Sequence, residues 1–192
     1  MTMFRELKTA ILIFIILTII TGILYPIFIT GIAQAFFHTK ANGSLIYRNE
    51  KLVGSSLIGQ LFDDPKYFWG RISATSPRYN ASYSSGSNIG PTNPALIDEI
   101  KMQINALKMA DPDNINPIPV DLVTSSASGL DPHISLAAGY YQIPRISRVR
   151  GIPEDVIRNI VIRNTSGRFL GLIGEKVVNV LQANLDLDSY RK

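Results

Sequence analysis

Two hydrophobic patterns divide this chain. From Ala10 to Tyr25 apolar side chains occupy every face of a helix, and the run continues through Pro26 to Phe37. No Asp, Glu, Lys or Arg occurs between Thr9 and Thr39. A spanning helix needs ~20 apolar residues, rising ~1.5 Å each, to cross a ~30 Å hydrocarbon core. The pattern therefore predicts one transmembrane helix over 10–36. Pro26 removes one backbone N–H and is expected to bend it, and Phe36 and Phe37 fall where an interfacial aromatic belt begins. The alternative is a cleavable signal peptide, with Arg5 and Lys8 as its basic start and Ala33-Gln34-Ala35 as a small-x-small site. A signal core of about 7–15 residues is shorter than this run, which favours an uncleaved anchor. Arg5, Lys8 and the amino terminus precede the span, and only His38 and Lys40 follow it closely. That bias predicts a cytoplasmic N-terminus at 1–9 and an extracytoplasmic domain at 40–192.

Beyond the span the periods are short and mixed. Residues 40–53 alternate loosely and lead into a strand near 51–58. Residues 63–94 are dense in turn formers yet carry Tyr67, Phe68, Trp69 and Tyr79, with Phe62 just ahead. Disordered linkers are poor in rings, so this stretch reads as an ordered loop pinned by aromatics. Asn93 and Pro94 then suit the cap and first position of a helix, with Asp98 and Glu99 toward its positive end. Leu96, Ile97, Ile100, Ile104 and Leu107 form its apolar stripe, and Asp111-Pro112 ends it. Val120–Thr124 is a strand candidate. A helix over 134–150 is interrupted near Pro144, and Pro153-Glu-Asp starts another with Val156, Ile157, Ile160 and Val161 as its stripe. Ser166-Gly167 turns into a strand at 168–173, and 177–187 reads as a helix through Val177, Val178, Leu181 and Leu185. The fold class predicted is a single N-terminal transmembrane helix followed by one α/β (α+β) domain.

Composition narrows the chemistry. Lys and Arg number 19 against 15 Asp and Glu, a slightly basic balance rather than the polybasic surface of a nucleic-acid binder. Zero cysteines exclude disulfides, cysteine-ligated metals and cysteine nucleophiles. Neither a G-x-x-x-x-G-K-[ST] loop nor a G-x-G-x-x-G after a strand is present. His38 and His133 are the two histidines. Asp131 beside His133 reads as a helix cap. Ser126 or Ser128 with His133 and Asp121 could be drawn as a triad, but neither serine lies in G-x-S-x-G. The Ser/Gly-rich loops at 84–90 and 125–129 read as turns, with an anion cradle as the alternative. Gly171, Gly174 and Glu175 read as a turn with an exposed carboxylate. Asn42, Asn80 and Asn164 begin Asn-x-Ser sequons of chance frequency.

Several longer strings carry more information. Gly54-Ser-Ser-Leu-Ile-Gly-Gln60 is followed by Pro65-Lys-Tyr-Phe68, Arg71, Ser73-Ala74 and Tyr79-Asn80. Gly86-Ser-Asn-Ile-Gly-Pro-Thr-Asn-Pro94, Pro119-Val-Asp-Leu-Val-Thr124 and Ser128-Gly-Leu-Asp-Pro-His-Ile-Ser135 come next, and Tyr141-Gln142, Arg145, Gly174-Glu175 and Val178-Asn-Val-Leu181 complete the set. In this order they resemble the KdpC family, the C subunit of the Kdp potassium-transporting P-type ATPase, over nearly the whole chain. The resemblance implies an accessory subunit of an ATP-driven potassium uptake complex in the plasma (inner) membrane, with three partners in the bilayer. These are a channel-like A subunit that binds potassium, a B subunit that hydrolyses ATP through an aspartyl-phosphate, and a small F subunit. ATP, Mg and potassium would be handled by the complex, with no cofactor or metal held by this chain. Consistently, the chain lacks Asp-Lys-Thr-Gly, the phosphorylation motif. The family is proposed either to raise the ATP affinity of the B subunit, with Gln142 as a nucleotide contact, or to cap the outer potassium entrance. A single-pass sensor or binding ectodomain is the alternative from another class.

Overall fold

The computed structural model describes residues 2–190, in two compact units that divide between Leu45 and Ile46. In the first, α1 (Thr2–Ile19) runs through a π-helical turn (Ile20–Leu24) into α2 (Tyr25–Phe36). The result is a helix over Met3–Phe36, 34 residues long and exposed along its length, which is long and apolar enough to cross a bilayer. In an uninterrupted helix the Pro26 ring would press on the carbonyl of Gly22. The wide turn stands just ahead of it, with the Tyr25 N–H donating five residues back to the Ile20 carbonyl. A short α3 (His38–Ala41) follows.

The second unit begins as a hairpin. β1 (Leu45–Arg48) and β2 (Lys51–Ser55) pair across Asn49-Glu50. Both turn residues have positive φ, as a two-residue hairpin turn requires. No named helix or strand lies between Ser55 and α4 (Pro94–Ala110), so the long loop expected from the turn formers is present. The Asn93 side chain caps α4 by accepting from the Ala95 N–H, with Pro94 at the first position. Asp98 and Glu99 fall beyond the first turn, and of the expected stripe Leu107 is buried whereas Ile97 is exposed.

The core lies in the C-terminal half. β3 (His133–Ser135), α5 (Leu136–Tyr141), α6 (Ile143–Arg150), α7 (Glu154–Arg163), β4 (Thr165–Ser166), β5 (Val177–Asn179) and α8 (Val180–Ser189) follow in order. The strands form an antiparallel sheet in the order β3-β5-β4, with Ile134 opposite Val178 and Thr165 opposite Val178 on the other side. Both β3 and β5 turn directly into helices. Ser135 Oγ accepts from the Ala138 N–H to start α5, and Asn179 Oδ1 accepts from the Gln182 N–H to start α8. Ile134, Ile146, Ile157, Ile160, Val161 and Leu187 are essentially solvent-free, each worth about 1.5–3 kcal/mol relative to exposure.

Four local expectations change. Val120–Leu122 is a 3-10 turn, not a strand. That conformation buries Leu122 and aims the Asp121 carboxylate at the Ser135 N–H (2.7 Å) and hydroxyl (3.0 Å). The helix expected from 134 starts at Leu136, because Asp131 caps an Asx turn at the His133 N–H that leads into a strand. Residues 177–179 are a strand before the last helix begins. The strand expected at 168–173 is instead a tight exposed turn closed by a bridge between Phe169 and Ile173. Positive φ at Leu170 and Gly171 reverses the chain there.

Candidate functional site

The loop from Leu61 to Tyr79 is held by side chains that reach it from the C-terminal half of the domain. A segment without regular structure must still place its backbone N–H and C=O groups. Here α5, α6 and α8 supply the partners. The Asn184 amide accepts from the Phe68 N–H (2.8 Å) and donates to the Phe68 carbonyl (3.0 Å). The Gln142 amide does the same for Trp69, at 2.8 and 3.2 Å. Each amide thus acts as one rung of a β-ladder for a single loop residue.

Arg145 completes the clamp. Its guanidinium donates to the carbonyls of Pro65 and Tyr67 and to Gln142 Oε1 (2.6 Å). It stacks 4.6 Å from the Trp69 ring centroid. The residue is 1% exposed, and burial lowers its pKa to about 10, with Asp111 pulling the other way. It remains a cation at neutral pH. Arg150 repeats the arrangement at the rim, donating to the Lys66 carbonyl and to Asp188 while lying over Tyr67. Buried charges persist when their hydrogen bonds are met, and carbonyl oxygens meet most of these.

The outer half of the loop encloses a cleft of about 210 Å³, lined in part by Phe62, Trp69, Arg71, Arg78, Tyr79 and Gln103. Tyr79 adopts a positive φ and donates its hydroxyl to the Arg71 carbonyl at 2.7 Å. Burial, and secondarily the Asp131 charge, push its phenol up to about 12. Its ring passes so close to the backbone that only glycine fits beside it. A Cβ at Gly59 or Gly70 would lie 2.5 Å from its atoms. Arg71 donates to the Ser125 carbonyl (3.0 Å) and pairs with Asp131 (3.4 Å). The arrangement gathers rings and guanidinium groups around one cleft.

Gln142 is 1% exposed, and both of its amide donors and its carbonyl oxygen bond within the domain: to Trp69, Ala138 and Arg145. Asp121 is bonded to Ser135, His133 lies 3.7 Å from Asp131, and Ser128 accepts from the Leu130 N–H. No hydrogen bond joins Ser126 or Ser128 to His133 or Asp121 among the described residues. The loops at 84–90 and 125–129 bond to one another, through the Ser85 N–H to the Ser128 carbonyl and the Ser125 and Ser87 hydroxyls. Among the described residues no group of His, Asp and Glu is placed to hold a metal ion. Sequence reasoning missed Asn184 and Arg150 and gave Arg145 no role. The signal available was a polar residue set among apolar ones, Arg145 between Ile143 and Ile146 and Asn184 beside Ala183 and Leu187.

Comparison with known proteins places this architecture. The family model described as K+-transporting ATPase, c chain, matches residues 7–189. The chain is similar to the Potassium-transporting ATPase KdpC subunit of Ralstonia nicotianae, 57% identical over 186 residues, covering 96% of this chain and 91% of the relative. It is 56% identical to the subunit of the same name from Paraburkholderia xenovorans over 191 residues, covering 99% and 98%. The Dechloromonas aromatica subunit is 57% identical over 187 residues, covering 97% and 98%. With relatives of this closeness over nearly the full length, the chain belongs to the KdpC family, the c chain of the K+-transporting ATPase.

Proposed function

We propose that the chain is a non-catalytic accessory subunit of a high-affinity, ATP-driven potassium uptake complex in the inner membrane, required for assembly of that complex and for its transport. The full-length match to relatives named as potassium-transporting ATPase subunits carries this reading. In it, the N-terminal helix spans the bilayer and packs against partner helices, with Gly22 and Gly31 as close-approach positions. Residues 40–192 lie outside the cytoplasm and dock on the outer face of the channel-like A subunit. The loop at 61–79 forms the docking surface, because clamped rings and arginines give an interface its anchors at little ordering cost. A B subunit and a small F subunit complete the assembly.

An external domain cannot touch a nucleotide held in the cytoplasm. Any gain in ATP affinity then travels as a coupling free energy between distant sites. Gln142 contributes by holding Trp69 in place, and direct nucleotide contact at Gln142 would first require that pairing to open. The test is copurification through a C-terminal tag from membranes of potassium-starved cells. The expected result is a P-type ATPase subunit and a polytopic channel-like subunit in the eluate, and recovery of the chain alone would overturn the reading. Topology is tested separately with Met109→Cys, a position 82% exposed. A membrane-impermeant thiol reagent should label it in intact spheroplasts. Labelling only after the membrane is opened would place the domain inside.

A further inference from the structure

We propose that the turn at residues 169–173 is a membrane-insertion tip that dips into the interface of an anionic lipid surface. Phe169, Leu170, Leu172 and Ile173 are 68, 79, 82 and 68% exposed, four large apolar side chains in five residues around Gly171. Soluble surfaces seldom display such a cluster without a partner. Leu170, moreover, sits at a φ of 52°, where glycine or asparagine would be at ease. A bulky apolar residue held at a strained apex in water is explained by an apolar environment that receives it.

Three observations favour a bilayer over a protein groove. The tip bonds most of its N–H groups within itself: Phe169 and Ile173 exchange both N–H···O bonds, and the Gly171 and Leu172 N–H groups donate to the Arg168 and Phe169 carbonyls. Each backbone group bonded internally lowers the cost of leaving water for the lipid interface. Arg168 clamps Glu175 at the base (3.2 Å), and the segment from Arg163 to Lys176 carries three basic residues and one acidic residue. A convex apolar wedge with a basic collar matches the charge of anionic headgroups. Finally, the chain carries a helix long and apolar enough to span a bilayer, which in the function proposed above puts a lipid surface beside the chain.

The chain has no cysteine, so single probes can be placed in the full-length protein. Leu170→Cys, Leu172→Cys and, as a control, Met109→Cys would each carry a bimane label. Reconstitution uses liposomes of phosphatidylcholine, with and without phosphatidylglycerol. The expected result is several-fold stronger quenching of the tip probes than of the Met109 probe by a shallow nitroxide lipid, increasing with phosphatidylglycerol. Trp69 emission should be unchanged between the variants, which reports that the domain is folded. Equal quenching of all three probes by aqueous iodide, with no response to lipid quencher, would overturn the proposal. So would shielding of the tip that arises only in the copurified complex, since that result would identify a protein groove as the occupant.

Discussion

The loop at 61–79 and the tip at 168–175 are both irregular, both rich in large apolar side chains, and held in opposite ways. In the first, the backbone polar groups of Phe68 and Trp69 are met by Asn184 and Gln142. These partners lie far along the chain, Asn184 on α8 and Gln142 between α5 and α6. In the second, the bonds stay within the segment, and the Arg168–Glu175 pair is its local brace. Order in a loop therefore depends less on its own composition than on where its hydrogen bonds terminate. The 61–79 loop is tied to global unfolding, whereas the tip can be altered with little effect on the fold.

The comparison breaks most severely at Arg145. Arg145→Ala strands the Pro65 and Tyr67 carbonyls and removes the cation over Trp69, which should cost about 3–5 kcal/mol. Urea unfolding followed by the emission of Trp69, the only tryptophan, measures it at the loop itself. Asn184→Ala should cost about 2–3 kcal/mol, since it leaves a buried N–H and C=O at Phe68 unpaired. A smaller effect than that of an exposed substitution would show that the amide rungs are redundant.

Alkaline pH probes the same loop more gently. The Tyr79 phenol ionises near 10 in the unfolded chain and at about 12 in the folded one. A raised native pKa means its contribution is intact below pH 10 and is lost as the pH climbs toward 12. Tyr79→Phe should flatten the fall in stability over that window, measured as urea midpoints at successive pH values. A slope identical to that of the parent would remove Tyr79 from the account. The smallest effect belongs to the tip. Leu172→Ser should change stability by no more than about 0.5 kcal/mol, and a larger loss would show that the tip packs on the core.

Much of the fold was legible because its signals are local. Asn93-Pro94 announced α4, the unbroken apolar run announced the membrane-length helix, and rings among turn formers announced an ordered loop. The failures share one cause. Val120–Thr124 and 168–173 have strand-like composition, but the first turns to place Asp121 on Ser135 and the second reverses at Leu170-Gly171. Both outcomes are decided by neighbours or backbone angles that side-chain periodicity does not encode. The clamp was invisible for a stronger reason: Arg145 and Asn184 bind backbone atoms of residues 78 and 116 positions away. Only their polarity among apolar neighbours hinted at partners.

The wide turn at Ile20–Leu24 makes the N-terminal helix a pair of independently aimed halves. One residue beyond an α-helical turn rotates everything after it by about 100° relative to an unbroken helix. Phe14 and Phe28, two heptads apart, would otherwise lie within about 40° of one line. The extra residue swings them onto different sides, so each half can address its own neighbour. Deleting a single residue within the wide turn, such as Thr21, would close it and leave the two halves aimed as they are. A deletion elsewhere in the helix would instead swing one half by about 100° against the other.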